Sequence, residues 1–371
     1  MRELVLNNDI KNEYIYSDND IDIKYLTIED EYLDRFDVNF LNEFTHLEEL
    51  KLVNSIIDIP TTLINLKKII IINSIVDIPN TLINLKILII NKSNIYIPNI
   101  LTNLEELRIY DINNIIIPDT LINLKKLIID ECSYIMIPNT LTNLEELQIY
   151  GINNIIIPTT LIKLEKLLIN SSYIIIPTVL INLKKLIINN SLNILIPNSL
   201  INLKELMIYN SIIIPSIINK LINIERMDIY NSNIIIPDTL IKLKELVIHK
   251  IEIIIPNKLN NLKKLKIINS NNIVIPDTLI NLKELIIDSS NIIIPNTLIN
   301  IKELIINNSD NIDIPYNIII YLKCNLSNKN KKIKNALLIF KKYIWTWKEN
   351  FEIKRMNPNS LYLLNIIKNF D

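Results

Sequence analysis

The sequence predicts an α/β repeat solenoid that is mostly β, and three observations predict it. Nearly the same words return along the chain, as in Ile117-Pro118-Asp119-Thr120-Leu121-Ile122-Asn123-Leu124-Lys125-Lys126-Leu127-Ile128-Ile129. Fourteen prolines, from Pro60 to Pro315, each follow an isoleucine at steps of 19 or 20 residues, with 18 and 22 around Pro215. Within each unit the spacing Leu124, Leu127, Ile129, Cys132 recurs, for example at Leu47, Leu50, Leu52, Ser55 and at Leu282, Leu285, Ile287, Ser290. A fixed period this short marks a solenoid. A unit of this size cannot bury its own apolar face, so each must stack on its neighbours.

The elements of one unit follow in order. The alternation at Leu127 and Ile129 is the period-two signature of a strand with one buried face, and Leu124 enters the core just before it. The ninth position is Ser in ten of fourteen copies and otherwise Cys132, Ile112, Ile152 or Ile251. A buried hydroxyl there can satisfy backbone groups as the chain leaves the strand. By this register the last residue of Asn170-Ser171-Ser172 falls on the buried column. Ile115 and Ile117 alternate again, predicting a short extended run before Pro118. Pro118 then suits the first position of a helical or 3-10 turn over 119–123, where its missing N–H costs nothing. About 20 residues leave no room for a strand plus a three-turn helix, so helix content should be low.

With those residues in hand, the unit resembles the leucine-rich repeat, Leu-x-x-Leu-x-Leu-x-x-Asn/Cys-x-Leu, over about residues 1–326. Ser replaces the usual Asn, and the units lie at the short end of the family range. The Ile-Pro step is similar to that of bacterial effector repeats, whose outer face is extended chain. The resemblance implies a horseshoe with a parallel concave sheet of about 17 strands, an irregular or 3-10 convex side and a non-catalytic role in binding proteins. The bias toward Ile, Asn and Lys resembles leucine-rich-repeat gene families of large AT-rich DNA viruses, which would place the chain in host cytoplasm.

Three segments are expected. In residues 1–46 the register survives without Ile-Pro at Met1, Leu4, Leu6, Asp9 and at Ile23, Leu26, Ile28, Glu31, giving two degenerate repeats that cap the first edge. Twelve acids against four bases there also discourage edge-to-edge pairing. The regular array occupies 47–326, with an insertion near Pro215-Ser216-Ile217-Ile218. Residues 327–371 carry ten bases against three acids, and Ile333, Leu337, Phe340, Ile344 and Trp347 recur at helical spacing. This is read as a basic amphipathic helical cap, with an adaptor role or binding of nucleic acid or an anionic surface as alternatives.

Composition removes several function classes. The lone Gly151 is too little for glycine-rich phosphate loops, so dinucleotide and P-loop sites are excluded. No apolar run approaches 18 residues, so no membrane span or leader is expected, and the chain is read as cytoplasmic. Cys132 and Cys324 fall on strands far apart in the stack and should be free thiols. His46 and His249 have no metal-ligand spacing around them, so neither metal nor cofactor is expected. Glu48-Glu49, Glu105-Glu106 and Glu145-Glu146 occupy positions where Lys stands in other copies, which marks a solvated face rather than catalytic acids. No small-molecule substrate is implied. Outside the two ends the chain carries 25 bases and 25 acids, which disfavours nucleic acid.

The remaining candidate is the outward row of each strand. Its central column is apolar in nine of fourteen copies; the next carries tyrosine, and the preceding one alternates Lys, Arg and Glu. The core needs none of these residues, so they suit a protein partner of unknown identity docking between the sixth and thirteenth strands. Arg108, Tyr110, Tyr150, Met207, Tyr209, Arg226, Tyr230 and His249 are the candidate contacts, with Tyr209 and Tyr230 expected about 5 Å apart on adjacent strands.

Overall fold

The structure, a computed structural model, describes residues 3–6, 23–35, 39–213, 219–232, 234–309, 312, 315 and 323–326. It divides into two compact units, Met1–Leu200 and Ile201–Asp371. In the first unit ten strands run in parallel: β1 Glu3–Leu6, β2 Tyr25–Arg35, β3 Glu49–Asp58, β4 Lys68–Ile72, β5 Ile87–Asn91, β6 Glu106–Tyr110, β7 Lys126–Asp130, β8 Glu146–Tyr150, β9 Lys166–Asn170 and β10 Lys185–Asn189. Each pairs with the next in sequence, in the register Leu4↔Leu26↔Leu50↔Ile69 and so on along the unit. The second unit repeats the scheme with β11 Glu205–Tyr209, β12 Arg226–Tyr230, β13 Glu245–His249, β14 Lys264–Ile268, β15 Glu284–Asp288, β16 Glu303–Asn307 and β17 Lys323–Leu326. These seventeen strands, with the 3-10 helix Asn39–Glu43 and little other helix among the described residues, make a leucine-rich-repeat solenoid. The proposed helix at 333–347 and the core of the Pro215 insertion, 214–218, lie outside the described residues.

The core is built as the spacing requires. Leu124, Leu127 and Ile129 are fully buried, joined by Leu121 from the outer turn and by Ile115 and Ile117 from the extended run. The outer turn differs from the expected 3-10 turn. Pro118 O accepts from Leu121 N at 3.3 Å and Leu121 O from Leu124 N at 3.0 Å, so two reverse turns share Leu121 and proline opens the first. Asn123 holds them to the previous unit by donating Nδ2 to Thr102 O at 2.9 Å. The same bond recurs at Asn84 to Ile64 in the first unit and at Asn300 to Ile280 in the second.

The ninth-position serines are buried and bonded on both sides. Ser74 Oγ donates to Ile72 O at 2.7 Å and accepts from Ser55 N at 2.9 Å, while Ser74 N donates to Ser93 Oγ at 2.9 Å. One donor and one acceptor per hydroxyl suffice to link successive turns, so Ser can stand where the usual repeat has Asn. The residue before this position has positive φ in nearly every turn, and seven of these residues are asparagines: Asn54, Asn73, Asn190, Asn210, Asn231, Asn269 and Asn308. Asparagine tolerates the left-handed region better than most residues. Gly151 occupies one such place at φ 65°, and a Cβ there would come within 3.1 Å of Glu131 Cγ. The turn after β9 lacks this residue, so Ser171, and not Ser172, is the buried one.

Charges at the strand entrances also pair between units. Glu48 accepts Lys24 Nζ at 2.6 Å and Lys67 Nζ at 2.8 Å, and these bonds hold its carboxyl down to about 2. A depressed pKa means a contribution that is complete above the ordinary carboxylate value of about 4.3 and is lost as pH falls toward the folded value. Lys67→Met should therefore raise the Glu48 titration midpoint seen by carboxyl NMR. An unchanged midpoint would show that Lys67 is not its partner in solution.

Candidate functional site

The outward side chains form one ordered grid in each unit, because parallel pairing in register places equivalent residues side by side. In the second unit, pairing of β11, β12 and β13 aligns Glu205, Arg226 and Glu245, then Met207, Asp228 and Val247, then Tyr209, Tyr230 and His249. The aromatic row is continuous. Tyr209 and Tyr230 lie 6.5 Å apart between ring centroids at 48°, rather farther than the strand spacing suggests, and Tyr230 meets His249 edge-to-face at 4.5 Å. Lys250 Nζ sits 5.5 Å from the Tyr230 ring centre and donates to its hydroxyl at 3.2 Å. All three rings are half-buried, with Tyr230 between the other two.

Electrostatics favour the neutral forms of Tyr209 and His249. Burial, then Asp228, pushes the Tyr209 phenol up. Burial, then Lys250 and Lys266, pushes His249 down. Asn269 Nδ2 lies 3.1 Å from His249 Nε2, within hydrogen-bonding distance.

Two expected contacts change character. Met207 is only 8% exposed, filling the space between the charged and aromatic rows, so it supports the surface more than it presents one. Arg226 is held by both oxygens of Asp228, Nε at 3.3 Å and Nη2 at 3.0 Å, and by Glu245 at 3.2 Å. Asp228, also 8% exposed, is the residue that sequence reasoning passed over. Arg226-x-Asp228 puts both side chains on one face of a strand, and that spacing was the available signal.

In the first unit, β6, β7 and β8 align Arg108, Ile128 and Gln148, then Tyr110, Asp130 and Tyr150. Asp130 thus separates the two tyrosines. Burial, then Glu131 and Asp111, raises its pKa. Arg108 Nε donates to Glu106 at 2.6 Å, and Tyr150 hydroxyl to Gln148 Oε1 at 2.8 Å. The structure therefore brings together Met207, Tyr209, Arg226, Tyr230 and His249 within the second unit, and Arg108, Tyr110 and Tyr150 within the first.

A groove of about 300 Å³ in the first unit is lined by Lys86, Glu105, Lys125, Glu145, Lys163 and three asparagines. Its lysines are engaged, Lys86 and Lys125 by Glu105 and Lys163 by Asn143. Cys132 is buried and its thiol is pushed up by that burial, the opposite of what a nucleophile needs. Among the described residues no group of His, Cys, Asp or Glu could hold a metal ion, and no helix is long and apolar enough to cross a membrane.

No protein-family model matches this sequence, and no curated protein matches it. Solved structures do. A leucine-rich-repeat protein of Leptospira interrogans is 17% identical, with a TM-score of 0.57 over 91% of this chain and 98% of that one. The Drosophila Toll–Spätzle complex gives 0.60 at 15% identity, covering 84% of this chain and 53% of that one. TLR13 in its complex with ssRNA13 gives 0.56 at 18%, covering 82% and 57%. Likeness at this level of identity is likeness of fold, and that fold is the leucine-rich repeat.

Proposed function

We propose that the chain is a non-catalytic protein-interaction module whose partner docks on the outward face of the parallel sheet. The observation that carries this reading is the continuous aromatic row Tyr209–Tyr230–His249, held half-exposed beside a satisfied Arg226–Asp228 pair. Rings fixed by their neighbours lose little freedom on binding, and tyrosine offers a broad apolar flank with a polar tip, the combination that dominates protein interfaces. Among solved structures of this fold, Toll is held with Spätzle and TLR13 with an RNA, so the choice of partner class rests on the side chains. Here both arginines of the candidate surface already face carboxylates, which leaves them poorly placed for phosphates. In the first unit Arg108, Tyr110 and Tyr150 are the corresponding contacts. We assign the module to the cytoplasm, where a free buried thiol such as Cys132 is ordinary.

Oxidative footprinting of the chain with its native partner tests this. Tyr209 and Tyr230 should become protected while the exposed outer-side residues Ile254 and Ile293 keep their reactivity. Protection confined to residues 327–371, with affinity falling steeply as salt rises, would favour a basic C-terminal binding site instead.

A further inference from the structure

We propose that the first unit carries a second interaction surface, an apolar ridge on its outer side, and that the occupant of this ridge is a second copy of the chain. The ridge is the column two residues before each proline. Ile115 and Ile117 are buried, so the extended run turns Ile116 outward, and the same alternation repeats in every unit. The column opens with Asp58 and Asp77 and then becomes Tyr96, Ile116, Met136, Ile156, Ile175 and Leu195, whereas in the second unit it is the shorter exposed run Ile235, Ile254, Val274 and Ile293 with no flanking tyrosine. Ile116 is 76% exposed, Met136 82%, Ile156 81% and Ile175 87%, whereas the apolar residues of the sheet face are half-buried or buried. Tyr134 and Tyr173, two residues earlier in their units, are also exposed and widen the ridge.

Size and chemistry decide the occupant. At about 4.8 Å per unit the six side chains run for about 24 Å. With the two tyrosines they offer on the order of 800–1,000 Å² of apolar surface, more than a lone soluble protein usually leaves bare and close to one side of a stable interface. From Tyr96 to Leu195 the column contains no charge, so it has nothing with which to recognise nucleic acid, an anionic lipid surface or a charged peptide. A second copy supplies a ridge of the same chemistry and the same spacing. Packing about a two-fold axis between Met136 and Ile156 pairs Ile116 with Ile175 and Tyr96 with Leu195. It also sends the acidic ends, Asp58 and Asp77, to opposite extremities, whereas a side-by-side parallel arrangement would oppose like charges. Isologous contact of this kind closes at the dimer. This surface is separate from the aromatic row of the sheet face, and neither proposal rests on the other.

Sedimentation velocity on the full chain, with and without Ile116→Glu/Ile156→Glu, tests the proposal. The wild type should be a dimer at micromolar concentration. The variant should be monomeric, with association weakened at least ~100-fold, since each copy buries two carboxylates against apolar side chains. Both positions are exposed, so the circular dichroism spectrum should not change. If the charged variant fails to fold, Ile116→Asn/Ile156→Asn should give the same loss of dimer. A control on the second unit, Ile254→Glu/Ile293→Glu, should remain dimeric. A wild type that stays monomeric, a ridge variant that still dimerises, or a control that dissociates equally would overturn the assignment. So would a monomer that co-sediments with neutral phosphatidylcholine vesicles, because the occupant would then be lipid.

Discussion

Ser74→Leu should destabilise the protein by about 2–5 kcal/mol in reversible denaturation, as overpacking and lost hydrogen bonds act together. Ser74 is buried, and its hydroxyl serves two backbone groups at once, Ile72 O and Ser55 N. Leucine leaves both unpaired and puts three carbons in place of the hydroxyl oxygen where successive turns meet. Three of the four non-serine residues at the same position sit in a differently shaped turn, while the fourth, Ile251, is only half-buried. Ile112, Cys132 and Ile152 stand in three consecutive turns, each followed two residues later by a further left-handed residue, Asn114, Tyr134 or Asn154. The turn at Ser74 has no such residue and no spare length. Ser74→Ala removes the bonds without the bulk and should cost about 1–2 kcal/mol. A leucine variant as stable as the wild type would mean that the serine column is not the link between turns.

The second large effect is expected at the aromatic row. Tyr209→Ala/Tyr230→Ala should weaken the native partner by more than about 2 kcal/mol, roughly 30-fold or beyond, because centrally placed tyrosines carry a disproportionate share of interface energy. Stability should fall far less than binding. Both rings lie on the outward face, and what they touch is each other and His249, contacts worth about 0.5–1.5 kcal/mol per pair. The Arg226–Asp228 pair beside them makes its own bonds and should persist.

Much of this architecture could be read directly from residue spacing. The strand register follows from Leu-x-Ile alternation even where the Ile-Pro step is missing: Leu4, Leu26 and Leu50 are paired neighbours as their spacing implied. The serine column was legible for the same reason, since a single position holding a small hydroxyl in so many copies must be constrained. What stayed hidden depends on conformation and not on hydrophobicity. The left-handed residue before each ladder position is Asn in seven copies but Lys92, Asp111, Glu131, Gly151, Lys250 or Ser289 in others, so no single letter announces it. The high asparagine content, attributed to coding bias, also has a structural basis in those turns and in the Asn123-type bonds between outer loops. Its deletion after β9 moved the buried serine by one residue. In the candidate surface, the columns were readable because parallel register aligns them. The burial of Met207 and Asp228 was not, because it depends on how long side chains from three strands fold over one another.

The most direct measurement is calorimetric titration of the native partner into three proteins: the wild type, Tyr209→Ala/Tyr230→Ala, and a chain ending at residue 326. The account predicts at least a 30-fold loss for the double variant and near wild-type affinity for the shortened chain, provided both keep the wild-type circular dichroism spectrum. Undiminished affinity in the double variant, with loss in the shortened chain, would contradict it and move the binding surface to the basic C-terminal segment.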